Sequence, residues 1–345
     1  MKNIFKNKKI LITGASGSIG KAVLFKLLKN NCKVIRAMSN DENSLFELWQ
    51  KIKKNSLIGL SEQTLIYTSS AITARLEKHR VRYIQGDVSD KTRCITACED
   101  IDIIIHAAAM KHVPFCEYNP FEATKTNVVG TENMVTAALE NNVSRFILVS
   151  TDKVVNPTSV LGATKLLSER IVVNSNLNKG LKKTIFSCVR FGNVIGTRGS
   201  IMPYFIDQSK NSNKITVTTN NMTRYFMTID QAVNTILFAL NNMKGGEIFI
   251  PNDLKKFRIR DLAEIIKEKS NNKKLKIVLI GRRESEKENE KLYTALEQDN
   301  IKILKNFYII GKNKNKKNFK LKAEKILSKK EISKSLKTYF NEVNL

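Results

Sequence analysis

The chain has 345 residues, 42% of them hydrophobic, enough to bury a full core, and a formal net charge of +27. Its five cysteines have no spaced framework, and neither a leader-like segment nor an apolar run of bilayer-spanning length is visible, which argues against a disulfide scaffold and for the reducing cytoplasm. The charge would suit nucleic acid or an anionic membrane, but lysine and asparagine are spread along the whole chain without a recognition motif, so no nucleic-acid partner is expected.

The first predicted element is the strand Lys9-Ile-Leu-Ile-Thr13, followed by Gly14-Ala-Ser-Gly17-Ser18-Ile19-Gly20 at the mouth of a helix running through Ala22, Leu24, Leu27 and Leu28. Three glycines at spacing three let the backbone turn sharply and approach a pyrophosphate, and the helix-start amides supply donors to it. Such a turn alone is a weak signal. It gains weight from a second strand at 33–38, a third at 81–88 ending in Asp87 and Val88, and a fourth at 101–105 followed by His106-Ala107-Ala108-Ala109. Asp87 falls where a Rossmann-type site meets adenine, and the small alanines permit close approach to a dinucleotide. Strand–helix alternation of this kind predicts an α/β fold with a Rossmann-type doubly wound parallel sheet.

A further strand, Arg145-Phe-Ile-Leu-Val-Ser150, places Thr151, Asp152 and Lys153 at its carboxyl end, where ligands bind in open parallel sheets. An adjacent acid and base there form a candidate proton-transfer pair, against the alternative of an ordinary exposed ion pair. His106 and His112 lack partners at metal-ligand spacing, and no metal is expected. Cys94 and Cys98, one helical turn apart, read as buried small residues ahead of a redox pair.

In combination, these segments resemble the extended short-chain dehydrogenase/reductases, and within them the UDP-N-acetylglucosamine 4,6-dehydratases of surface-polysaccharide and flagellar-glycan pathways. Four blocks carry the resemblance: Thr13 to Gly20; Ala107-Ala-Ala-Met-Lys-His-Val-Pro to Pro120; Thr126 to Gly130 with Ser150 to Lys165; and Arg190-Phe-Gly-Asn-Val-Ile-Gly-Thr-Arg-Gly-Ser200. Residues 221–227 and 281–292 follow the family more loosely, and the likeness covers roughly residues 8 to 295.

The resemblance implies a reaction in which C4 of the sugar is oxidised so that the C5 proton becomes acidic, water leaves from C5 and C6, and the hydride returns to C6. By that analogy Lys153 is the C5 base, Asp152 the acid at C6, and Thr151 a hydrogen-bonding partner of the C4 hydroxyl. Lys165 takes the ribose-binding place and Asn127 that of the superfamily's structural asparagine. Where most of the superfamily has tyrosine, four residues before that lysine, this chain has Leu161. Leucine cannot transfer a proton, so another group deprotonates C4 or the oxidation is impaired; some dehydratases carry methionine there. Candidate contacts to a UDP-sugar are Lys111, Glu117, Asn193, Arg198, Ser200 and Arg224, with the two arginines read either as diphosphate clamps or as surface residues.

The cofactor reading leans to NADP, with NAD possible, because no acid ends the second strand and Ser39 and Asn40 near Arg36 could accept a 2′-phosphate. Residues 1–190 are expected to form the dinucleotide-binding domain with an insertion near 41–80, a helical flap or dimer contact. Residues 191–310 are expected to form mainly a substrate-binding lobe, part of it returning to the Rossmann core. Residues 311–345 would supply a basic linker and an amphipathic helix with a Ser328–Glu331 capping box and an apolar stripe through Ile332, Leu336, Tyr339, Phe340 and Val343. That helix is expected to dock on the enzyme body or a neighbouring subunit, ahead of a membrane-surface role, and a homo-oligomer is expected by analogy. A C4 or C5 epimerase of the same fold and a non-catalytic nucleotide-sugar or dinucleotide sensor are the alternative functions.

Overall fold

Alternate residues of the short apolar strands face opposite sides, which is why this sequence folds into a sheet covered on both faces. A computed structural model describes residues 3–56, 80–311 and 325–343. The polar run at Ser69-Ser70 of the insertion and the lysine-rich linker lie outside those residues. The strands of the Rossmann core are β1 (Lys9–Thr13), β2 (Val34–Ser39), β3 (Val81–Gln85), β4 (Ile103–His106), β5 (Arg145–Thr151) and β6 (Ile185–Phe191). They lie in the order β3-β2-β1-β4-β5-β6, all parallel. The order reverses between β1 and β4, so a crevice opens there at the carboxyl ends.

Ile10, Ile12, Ile35, Ile103, Ile105 and Ile147 pack on one face with Val23, Leu24 and Leu27 of the helix Ser18–Leu28 and with the helix Ile229–Asn242. On the other face Leu11, Ile104, Phe146, Leu148 and Phe186 pack with the helices Lys91–Cys98, Gly130–Glu140 and Val160–Asn178. Cys94 and Cys98 point into this second layer, both buried, and burial pushes each thiol up to about 12, so they are packing residues here.

Past β6 the chain leaves the main sheet and comes back to it. β7 (Asn193–Val194), β9 (Thr223–Met227) and β11 (Lys255–Arg258) form a small separate sheet, and β8 (Lys214–Val217) pairs with β12 (Lys276–Leu279). Between those pieces β10 (Ile248–Pro251) joins β6 in parallel, and β13 (Ile301–Leu304) and β14 (Phe307–Ile310) close the edge antiparallel, giving the main sheet nine strands among the described residues. The smaller lobe has its own core of Met202, Phe205, Phe226, Phe257, Leu262 and Ile266.

Into that lobe core the final helix, Lys329–Glu342, inserts Ile332, Leu336 and Phe340 after a capping box between Ser328 and Glu331. The described half of the insertion is the helix Glu42–Ser56, whose Leu45, Leu48 and Ile52 are buried, and Leu48 and Ile52 join the first face of the core. There it packs as part of the body.

Candidate active site

The glycine turn is shaped by contacts that only glycine allows. Gly14 has φ +63°, and a Cβ there would come within 2.8 Å of the Ala108 amide nitrogen; one on Gly20 would lie 2.3 Å from the Gly14 carbonyl oxygen. Gly17 caps the helix Ser18–Leu28 without any side-chain hydrogen bond, leaving the first amides of Ser18, Ile19 and Gly20 for a ligand. Thr13, fully buried, donates or accepts at His106 Nδ1 (2.7 Å) and accepts from the Ala108 amide (3.2 Å), while the Ala107 amide bonds the Thr13 carbonyl. Burial pushes the His106 imidazole down to about 3, and its second nitrogen meets Thr131, so it is a neutral structural group.

Just past β3, Asp87 accepts from Asn40 Nδ2 (2.9 Å) and from the Ser89 amide (2.8 Å). Burial pushes its carboxyl up, but those bonds more than offset it and leave it below the ordinary carboxylate range. Val88 lies against Gly130, where a Cβ would come within 2.5 Å. Ser39 is buried and bonds Ser16 (2.7 Å). Arg36 does not reach this corner, because its guanidinium donates to the carbonyls of Ala97 and Glu99. Asp41, two residues beyond β2, is held below the usual carboxylate range by hydrogen bonds from Ser44. A dinucleotide fits the glycine cradle and its uncapped amides.

The acid–base pair stands where β5 ends. Thr151 caps a single 3₁₀ turn, Asp152–Val154, and donates to Asp152 Oδ1 (3.1 Å). Lys153 Nζ donates to the same oxygen at 3.0 Å and to Asn193 Oδ1 at 3.4 Å. Asp152 is fully buried, and its other oxygen, Oδ2, has no hydrogen-bond partner among the described residues. The turn is held from behind by Gly162, whose missing side chain lets the helix Val160–Asn178 approach the Lys153 carbonyl; a Cβ would lie 2.5 Å from it.

One turn along that helix Lys165 is buried, with Nζ on the Val149 carbonyl (2.8 Å), and burial pushes its ammonium down to about 8. Leu161 is buried against Cys116 and Ala123. Asn127 fixes the Met110 backbone from both sides and reaches Thr164, inside a π-turn at Lys125–Val129.

Of the six residues read as substrate contacts, Asn193 and Arg224 share one cleft with Lys153, together with Ser159, Arg283 and Glu290. Arg224 is buried, however, and its guanidinium donates to the carbonyls of Thr223, Lys287 and Glu288, which makes it the anchor of the 286–288 strap. Glu117 accepts from the Val160 amide (2.8 Å) and braces a helix start. Arg198 lies beside the glycine turn: its amide bonds Ser18 and its guanidinium Ser44 (3.2 Å), while Lys111 donates to its carbonyl. Ser200 caps the helix Ile201–Asn211, and its hydroxyl is buried without a hydrogen-bond partner among the described residues.

Sequence reasoning missed Glu290. It is buried, with Oε1 3.9 Å from Lys153 Nζ and Oε2 2.8 Å from Lys287 Nζ. Its strap was visible only as a loosely matching segment, rich in charge and without apolar periodicity.

A parallel sheet with this crossover, a glycine cradle at its first turn and an acid–base pair after β5 defines a Rossmann-type protein of the short-chain dehydrogenase/reductase kind. The profile of a family described as polysaccharide biosynthesis protein matches residues 10–312, and the chain belongs to that family. It is 42% identical to a Methanocaldococcus jannaschii protein named an uncharacterized membrane protein, over 98% of this chain and 97% of that one. With a UDP-N-acetylglucosamine 4,6-dehydratase (inverting) of Campylobacter jejuni it shares 37% identity over 89% and 84% of the two chains. A UDP-glucose 4-epimerase of Rickettsia bellii is 34% identical over 93% and 89%. Among solved structures, Pen from Bacillus thuringiensis superposes with a TM-score of 0.86 at 35% identity, covering 97% of this chain and 98% of that one. No helix among the described residues is long and apolar enough to cross a membrane.

Proposed function

We propose that the chain is a nucleotide-sugar 4,6-dehydratase that converts UDP-N-acetylglucosamine, or a related UDP-N-acetylhexosamine, to a 4-keto-6-deoxy sugar for surface glycans. The observation that carries this reading is the unpartnered, fully buried Oδ2 of Asp152 beside the Lys153 amine at the end of β5. A buried carboxylate oxygen without a donor is costly unless a ligand completes it. The name of the Campylobacter relative supplies the matching reaction.

In this reading Lys153 removes the C5 proton and Asp152 delivers a proton from Oδ2 to the departing C6 hydroxyl. Thr151, which shares the Asp152 Oδ1 acceptor, holds the C4 hydroxyl. Leu161 holds no proton, so it serves as packing. As C4 is oxidised its hydroxyl proton passes through the Thr151 hydroxyl to the Asp152 carboxylate, and a nicotinamide held here would supply the hydride chemistry between C4 and C6. Gly14, Gly17, Gly20 and the amides after them hold its pyrophosphate, Asp87 its adenine, and Lys165 its ribose. NADP rests on Ser39 and Asn40; the engaged Arg36 and the nearby Asp41 carboxylate weigh toward NAD, and titration with both dinucleotides separates them. Exposed Phe115, Tyr118 and Phe121 offer a helical surface for a second copy of the chain.

Incubation with UDP-N-acetylglucosamine and mass spectrometry of the product test the reaction. Loss of one water with a C4 ketone establishes it. The Rickettsia relative favours a second reading, a C4 epimerase, which leaves the mass unchanged. Lys153→Ala should lower turnover by about two to four orders of magnitude with dinucleotide binding intact. Unchanged turnover would remove Lys153 from the C5 step.

A further inference from the structure

Glu290 arrives in the cleft on a strap that is tied down along its length. Thr223 receives it through a bridge to Asn289, a hydroxyl bond to the Asn289 side chain (2.5 Å) and an amide bond to the Glu288 carbonyl (3.0 Å). Arg224 donates to the carbonyls of Lys287 and Glu288, and Arg190 to that of Leu292. Lys287 itself is oriented by the Val155 carbonyl at 2.8 Å. A carboxylate that is only 3% exposed and fixed this firmly is no solvated surface acid. It stands between two lysines, one of which is Lys153.

We propose that Glu290 is a positioning residue for Lys153, the anion that faces the Lys153 ammonium while Asp152 is uncharged. This rests on the reading of Lys153 as the C5 base. In the elimination Lys153 enters as the free amine and Asp152 holds the proton released from the C4 hydroxyl. The C5–H bond breaks, its electron pair is held by the C4 ketone as an enolate, and the proton goes to Lys153 Nζ. The C6–O bond then breaks, and the proton on Asp152 leaves with the hydroxyl as water. Between those events Asp152 must carry its proton, so it cannot balance the new ammonium.

The other charges around the cleft do not serve either. Arg224, Arg283 and Lys287 are cationic, and Glu286 pairs with Arg224 at 3.6 Å. Glu290 at 3.9 Å is the remaining carboxylate described within ion-pair reach of Lys153. After water leaves, Asp152 is anionic again and resumes its bond to Lys153.

The test uses Glu290→Gln, which keeps shape and removes charge, and Glu290→Asp, which keeps charge and withdraws it by one methylene. With the full-length protein and UDP-N-acetylglucosamine, Glu290→Gln should lower kcat about tenfold to a hundredfold with KM changed less than about twofold. Glu290→Asp should regain part of that loss. Combined with Lys153→Ala, Glu290→Gln should add no further loss, because both act through one amine. A second readout needs no turnover: acetic anhydride labelling of Lys153, followed by peptide mass spectrometry, should become several-fold faster in Glu290→Gln, less so in Glu290→Asp, and stay constant at remote lysines.

Faster labelling without turnover of any UDP-hexosamine by the wild type would retain the Glu290–Lys153 coupling and overturn the dehydratase reading. Unchanged Lys153 labelling, additive losses in the double variant, or a raised KM at constant kcat would overturn the role of Glu290. Should Glu290→Gln fail to fold, Glu290→Asp carries the same comparison, and wild-type labelling there overturns the role.

Discussion

Arg190→Met should unlatch the strap that carries Glu290. Arg190 is 1% exposed and makes five hydrogen bonds: two to Glu169, two to Glu297 and one to the Leu292 carbonyl. Methionine fills much of the same volume but leaves Glu169 and Glu297 facing each other without a cation. Removing one partner from a buried ion pair costs about 3 to 5 kcal/mol. Glu169 is the more deeply buried of the two carboxylates, so its lost pairing dominates, while Glu297 can turn partly toward water.

The loss should depend on pH. Burial pushes the Glu297 carboxyl up, but the hydrogen bond and charge of Arg190 outweigh it and hold it below its ordinary 4.5. Its contribution is therefore present above that value and is lost as pH falls through the depressed one. Urea unfolding of wild type and variant, at about pH 7 and again near pH 4, should show a deficit that shrinks on acidification. Proteolysis should also open the strap near 281–298 first. A deficit under about 1 kcal/mol, or one independent of pH, would refute the argument that this network secures the strap.

His106 makes the protein acid-sensitive in a defined window. Its imidazole is pushed from 6.5 to about 3 by burial, so the unfolded chain binds the extra proton as pH falls between those values and stability drops with it. The expected loss is about 2 kcal/mol between pH 7 and 5, and His106→Asn should flatten that slope in pH-dependent unfolding. Gly20→Ala sets a Cβ 2.3 Å from the Gly14 carbonyl oxygen and 2.7 Å from the Ala15 Cα, backbone that cannot yield without opening the turn. Calorimetric titration should show dinucleotide affinity lower by at least about tenfold, with stability down by about 1 to 3 kcal/mol. A Gly20→Ala variant that binds like wild type would mean that the turn opens without loss of the cradle.

Local signals made part of this molecule legible in advance. The apolar runs in Lys9–Thr13 and Arg145–Ser150, the glycine spacing at 14, 17 and 20, and the Ser328–Glu331 capping box each lie within one element, and short-range sterics and hydrogen bonds decide them. The adjacency of Thr151, Asp152 and Lys153 is covalent, so a strand end was enough to bring them to a ligand-facing turn.

What the tertiary structure decided was the company these groups keep. Arg198, read as a diphosphate clamp or a surface arginine, meets Ser18 and Ser44 because its loop folds across the glycine turn. Arg224, read as a clamp, spends its donors on the strap carbonyls. β10, β13 and β14 return to the main sheet past a lobe whose strands look no different in sequence. Glu290 lies 137 positions after Lys153, and nothing in its charged, aperiodic surroundings marks it; the Arg190 network, Arg224 and the Thr223 bridge bring its carboxylate to the amine. Periodicity determines which face a residue shows, but the meeting of distant side chains is set by packing and ion pairing across the whole fold.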